Sequence, residues 1–128
     1  VNYLIDTHVL LWAAFQSSRM PAAAHRLMSD PRHALWFSAA SIWEVSIKRA
    51  LNRPDFTVDP GVLRAGLLSN GYDELAIESR HCLALSALPP LHSDPFDRLL
   101  LAQAITEGMV LLTADSAIAG YGGPVEKV

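Results

Sequence analysis

The stretch Val1-Asn2-Tyr3-Leu4-Ile5-Asp6-Thr7-His8-Val9-Leu10-Leu11-Trp12 decides the fold. Val1 to Ile5 reads as a short buried strand, Asp6-Thr7 as a polar turn, and Val9 to Phe15 as a helix. A strand that hands over directly to a helix is the first half of a βα unit, and the pattern recurs along the chain. Pro21 stands where a second helix begins, running from Ala22 to Met28 and halted near Asp30-Pro31. Ala34-Leu35-Trp36-Phe37 is a second apolar strand, after which Ser38 or Ser41 caps a helix reaching about Leu51.

Pro60 to Leu68 reads as a helix ending at Asn70-Gly71, and Leu75-Ala76-Ile77 as a strand. Glu78 to Leu88 is helical, Pro95 opens a helix that stops at Gly108, and Met109-Val110-Leu111-Leu112 is the last strand. Short apolar strands alternating with helices predict an α/β fold around a mainly parallel sheet. In such sheets ligands bind beyond the carboxyl ends of the strands.

The 128 residues suit one domain over 1–128, and 51% apolar against 18% charged residues supplies a core and excludes a disordered chain. No apolar run reaches membrane-span length, and Val1 to Phe15 lacks the basic start and cleavage site of a signal peptide, so a soluble, cytoplasmic protein is expected. The lone Cys82 excludes an internal disulfide, and the five histidines form no zinc-finger or H-E-x-x-H spacing. A net charge of −3 argues against a general nucleic-acid coat protein. Whether it argues against an enzyme acting on nucleic acid depends on where the acids lie.

They gather at one edge. Asp6 follows the first strand and Asp115 follows the last, Glu44 lies early in the helix after the second, and Asp94 and Asp97 flank the start of the Pro95 helix. Local explanations stand beside this one: Ser41-x-x-Glu44 matches a capping box, Asp94-Pro95 an Asp cap with proline at the first helical position, and Asp115 a cap on a short final helix. The combination favours a shared site. Two carboxylates ~4 Å apart repel by about 4 kcal/mol at an effective dielectric near 20, so several together require protons or cations. Mg²⁺ and Mn²⁺ favour such oxygen ligands and can activate water beside a phosphate.

Four ordered blocks, Leu4 to Trp12, Ser38 to Glu44, His92 to Leu100 and Leu112 to Asp115, resemble the PIN-domain ribonucleases, and more narrowly the VapC-type toxins of bacterial type II toxin–antitoxin pairs. The resemblance implies a three-layer α/β/α PIN-like fold. It assigns the family's acidic site to Asp6, Glu44, Asp97 and Asp115, adds Asp94 as an acid whose direct ligation stays open, and puts Thr7, Ser38, Ser41 and Thr113 in supporting positions. It further implies hydrolysis of RNA by metal-activated water with Mg²⁺ or Mn²⁺, leaving a 5′-phosphate and a 3′-hydroxyl. Inhibition by a VapB-like antitoxin, whose basic side chain enters the acidic pocket, and a homodimer are expected on the same basis.

The bases are uneven. Residues 19 to 53 carry six bases against two acids, which is open to two readings, a rim guiding RNA (Lys48, Arg49 and Arg53 nearest the site) or a solvated helix surface. Arg98, beside Asp97, reads as pairing with an acid, with a contact to substrate as the other reading. His8 reads as a base or as packing under the first turn, and His25, His33, His81 and His92 as surface or structural residues. Trp12, Trp36 and Trp43 read as core or subunit interface, with base stacking the lesser alternative.

Other functions fit less well. A dehalogenase-like phosphatase needs a second Asp two residues after its nucleophile, where this chain has His8, and a receiver domain needs a Lys near the last strand, whereas the lysines are Lys48 and Lys127. A PIN-fold nuclease of RNA processing outside a toxin–antitoxin pair and a non-catalytic module that binds a basic peptide remain as alternatives.

Overall fold

The computed structural model describes residues 1–52 and 56–128. Five parallel strands, β1 (Asn2–Ile5), β2 (Ala34–Ser38), β3 (Asp73–Leu75), β4 (Val110–Thr113) and β5 (Val125–Lys127), form one sheet in the order β3-β2-β1-β4-β5. Helices α1 (Thr7–Ala14), α2 (Ala22–Ser29), α3 (Ala39–Ala50), α4 (Pro60–Ser69), α5 (Ser79–Ala84), α6 (Pro95–Glu107) and α7 (Ser116–Ala119) connect and cover it. The expected α/β/α layering is what the packing produces. Alternate residues of each strand face opposite sides, so Tyr3, Ile5 and Leu112 join one buried cluster with Val9, Leu10, Leu63 and Leu67. Leu4 and Leu111 join the other with Leu99, Leu100, Leu101 and Ile118.

The central strand decides where the site lies. The chain runs outward from β1 to β2 and β3, then crosses back to β4 and β5 on the other side, with Leu4 paired to Trp36 on one flank and Leu111 on the other. The connections diverge at β1 and β4, the switch point at whose carboxyl ends sheets of this kind take ligands. Asp6 and Asp115 stand one and two residues past those two strands.

Three expectations need correction. β3 covers Asp73–Leu75 rather than Leu75 to Ile77, because Trp36, Phe37 and Ser38 pair with Asp73, Glu74 and Leu75. As an edge strand it tolerates two acids, and Glu74 is held by Arg64 at 2.9 Å. The helix expected through Leu88 ends at Ala84 and tightens into a 3₁₀ turn, Leu85–Ala87. β5 was not expected, since Val125-Glu126-Lys127 carries two charges in three residues; its pairing to β4 supplies the backbone partners. α6 stops as read: Gly108 takes φ 68°, a left-handed cap that favours glycine. No helix among the described residues is long and apolar enough to cross a membrane.

Candidate active site

Asp6 is 2% exposed and caps α1, its Oδ1 accepting from the His8 backbone N–H at 3.4 Å. Its backbone N–H donates to the Leu112 carbonyl at 3.0 Å, which stitches the end of β1 to β4. Thr113 completes the link. Its hydroxyl donates to Asp6 Oδ2 at 2.8 Å and accepts from the Asp115 N–H at 3.0 Å, so one buried side chain spaces two acids. Asp115 caps the short α7 through Oδ1, on the Ala117 N–H at 2.7 Å.

Glu44 is also 2% exposed, yet it makes no capping box. Ser38, not Ser41, is the N-cap of α3, accepting from the Ala40 N–H at 2.9 Å, and this places Glu44 in the second turn. Ser41 instead meets Thr7 hydroxyl to hydroxyl at 2.8 Å, tying α3 to the first turn of α1. Lys48, one turn on, donates to Glu44 Oε2 at 2.8 Å, while the buried Oε1 has no partner among the described residues. An orphaned carboxylate oxygen in the interior is costly unless a cation or a donor meets it.

Asp97 lies in the first turn of α6 and is 6% exposed, its Oδ2 2.8 Å from His92 Nε2. Burial, and then the negative charges of Asp6, Asp94 and Glu44 against the opposing pull of His92, push its carboxyl up to about 6. Burial likewise raises Asp6, opposed by the hydrogen bond from Thr113 and helped upward by Glu44. Asp6, Glu44 and Asp97 therefore feel one another's charge, the mutual repulsion expected of a site that receives a cation. Asp94 behaves as a cap, Oδ1 accepting from the Phe96 and Asp97 N–H groups at 2.9 and 3.3 Å, and adds charge beside the cluster.

Several sequence expectations change here. Of the two readings of the basic stretch, the structure adds the partners of two members: Lys48 is paired with Glu44 at 2.8 Å and Arg49 with Asp59 at 3.1 Å. Arg53 lies outside the described residues. Among the described residues Arg98 pairs with no acid; its guanidinium reaches the carbonyls of Leu85 and Leu88, closing the 3₁₀ turn. His8 is exposed beside Trp12 and does not pack under the helix. Trp43 is 54% exposed, set edge-on against Phe96 with ring centroids 4.8 Å apart.

His92, read as a surface or structural residue, faces the acids. Its Nε2 lies 2.8 Å from Asp97 and 3.6 Å from Asp115, inside the acidic cluster. The only sequence signal was its place five residues before Asp97. Gln103 had none: buried in α6, it accepts from Ser38 Oγ at 2.5 Å and donates to the Ala76 carbonyl at 3.3 Å. Two clefts of about 490 and 510 Å³ lie elsewhere, around Ala13, Gln16, Met28 and Tyr72, and include none of these acids.

Residues 3–123 match the family model described as PIN domain. No curated protein matches the sequence. Among solved structures, VapBC2 from Rickettsia felis bound to a DNA fragment from its promoter aligns at 13% identity with a TM-score of 0.70, over 99% of this chain and 98% of that one. VapBC-1 from nontypeable Haemophilus influenzae aligns at 18% and 0.69, over 99% and 98%. VapC20 of Mycobacterium tuberculosis, a Sarcin-Ricin loop cleaving toxin, aligns at 19% and 0.64, over 94% and 95%. At these identities the likeness is one of fold.

Proposed function

The chain belongs to the PIN-domain family, and on that premise we propose that it is a metal-dependent endoribonuclease, the toxin of a type II toxin–antitoxin pair. The observation that carries the reading is the buried Glu44 Oε1, which has no partner among the described residues, in the field of Asp6 and Asp97. A carboxylate set with an orphaned oxygen fits a hard divalent cation better than it fits a structural cap. Asp6, Glu44, Asp97 and Asp115 would hold Mg²⁺ or Mn²⁺, with Asp94 adding negative charge. The bound cation would supply activation of water and neutralisation of the phosphoryl oxygens.

The side chains of the protein do the rest. Thr113 fixes the Asp6 carboxylate through Oδ2 and holds the backbone of Asp115, so these acids keep their separation when substrate arrives. Lys48 keeps Glu44 Oε2 occupied, which leaves Oε1 as the free atom. Ser41 and Thr7 lock α3 against α1, fixing the height of Glu44 relative to Asp6. Such preorganised charge makes the site act on a phosphodiester without rearranging during the reaction.

Toxin activity restrained by a VapB-like antitoxin is supported by the VapBC assemblies among the structural neighbours. A basic antitoxin side chain entering this cluster would meet the unpartnered oxygen and displace the cation. A homodimer is part of the same proposal. The test is cleavage of end-labelled RNA by the purified protein with Mg²⁺, Mn²⁺ or chelator. Cation-dependent endonucleolytic products with 5′-phosphates, absent for Asp6→Asn, support the reading; undiminished cleavage by Asp6→Asn overturns it.

A further inference from the structure

We propose that the cation centre has a nitrogen donor, His92 Nε2, beside Asp97 Oδ2 and Asp115 Oδ2, and therefore selects a borderline transition ion of the Mn²⁺ or Co²⁺ type over Mg²⁺. The inference rests on the metal-dependent reading above and names the ion that site prefers. The three donor atoms lie within 4.8 Å of one another, with His92 Nε2 2.8 Å from Asp97 and 3.6 Å from Asp115. Donors on one octahedral ion with bonds of about 2.1 Å stand about 3 Å apart at right angles, so these atoms need little movement to share an ion. The ring, coordinated through Nε2, carries its one proton on Nδ1.

His92 is held in place. Its backbone N–H donates to Tyr121 Oη at 3.0 Å, anchoring the loop that carries it to the far side of the crevice. Pro89, Pro90 and Pro95 bracket that loop and restrict its backbone. A second observation points to a ligand independently, the buried and unpartnered Glu44 Oε1 close enough for its charge to act on Asp97.

A second cluster of the same composition shows the contrast. Glu78, His81 and Glu107 also bring three donors together. There His81 Nδ1 accepts from the Glu78 N–H at 2.9 Å, His81 Nε2 is spent on Glu107 at 2.8 Å, and the Arg80 guanidinium lies on both carboxylates. That cluster already has its cation. Among the described residues no Lys or Arg pairs with Asp97 or Asp115, and the basic side chain beside them is the His92 imidazole. Imidazole adds little for Mg²⁺, which prefers oxygen and keeps its waters, and adds affinity along the transition series.

The experiment titrates the wild-type chain, His92→Gln and His92→Asn with Mn²⁺ or Mg²⁺ alone by calorimetry, after circular dichroism has checked folding. Pulsed electron paramagnetic resonance of bound Mn²⁺ then reads any ¹⁴N coupling, and RNA cleavage is measured in the same samples. Wild type is expected to bind Mn²⁺ at least about 10-fold tighter than Mg²⁺ and to show nitrogen coupling. Both variants should lose the coupling and about 10-fold in Mn²⁺ affinity, with Mg²⁺ affinity nearly unchanged. Absence of nitrogen coupling in wild type, or equal loss for both ions, overturns the inference even if RNA is cleaved. Nitrogen coupling without any RNA cleavage upholds the nitrogen donor and sinks the nuclease reading instead.

Discussion

Asp97→Asn should stabilise the metal-free fold while abolishing activity. Asp97 is buried, and its carboxyl is pushed up to about 6 by burial and by the Asp6 charge. An acid whose folded pKa is raised makes folding progressively less favourable as pH rises from its unfolded value of ~3.9 through about 6, because the folded state resists losing the proton. Below ~4 both states are protonated and the penalty vanishes; above about 6 it is complete, and the gap between the two pKa values corresponds to about 3 kcal/mol. Asparagine removes the charge and keeps an oxygen that can accept from His92, so the net gain at pH 8 should be about 2 kcal/mol once the weaker neutral hydrogen bond is allowed for. Urea unfolding with chelator present, at pH 4 and pH 8, measures it. The variant should exceed wild type at pH 8 and converge with it at pH 4. Saturating Mn²⁺ should reverse the order, since an ion at 100 times its dissociation constant adds about 2.7 kcal/mol to the state that binds it. A variant less stable than wild type by the same margin at both pH values would refute the repulsion argument, whatever happened to cleavage.

Thr113→Val removes the hydroxyl shared by Asp6 and the Asp115 N–H, and should cost about 1–3 kcal/mol in chemical denaturation together with at least about 10-fold in RNA cleavage. Lys48→Met leaves Glu44 buried without its counter-ion; a loss of about 1–3 kcal/mol in chelator is expected, largely recovered on adding Mn²⁺, and a loss unaffected by the ion would count against Glu44 as a ligand. Gln103→Leu strands Ser38 Oγ and the Ala76 carbonyl, so about 2–3 kcal/mol should be lost by thermal melting with Mn²⁺ affinity changed far less. Asp94→Asn retains the capping oxygen on α6, and should leave stability within about 0.5 kcal/mol while lowering the Asp97 pKa toward its ordinary value.

The sheet was legible because its central strands are apolar runs bounded by turn chemistry: Tyr3-Leu4-Ile5 and Leu111-Leu112 face helices on both sides and have no reason to alternate. The edges were not. β3 and β5 each expose a face, so Asp73-Glu74-Leu75 and Val125-Glu126-Lys127 carry charges that a strand pattern reads as loop, and only their backbone pairing identifies them. The site acids were legible by position, as residues just past strand ends or at helix starts. Their pairings were not, because Ser38 and Ser41 offer the same capping chemistry three residues apart and the winner is set by where β2 stops. Lys48 illustrates the remaining gap: a base four residues after an acid reads as a surface helix pair until the acid proves buried.

Burying three mutually repelling acids in one crevice imposes a requirement on the scaffold, and the polar network behind the site meets it. Glu44 and Asp97 ride on α3 and α6, which would drift apart if only apolar contact joined them. Ser38, at the foot of α3, donates to Gln103 on α6, and Gln103 in turn donates to the Ala76 carbonyl and approaches His81 Nδ1 at 3.4 Å. His81 passes the chain to Glu107 in the last turn of the same helix, and Arg80 neutralises that end. Every bond is directional, so sliding α6 by even half a turn would strand a buried donor or acceptor, at about 1–3 kcal/mol each. The repulsion favours separating the helices, and the network opposes the separation without placing a positive charge in the crevice. That division gives Glu44 Oε1 and the Asp97 carboxylate no basic partner from the network, and the counter-charge to Glu107 sits at the other end of α6.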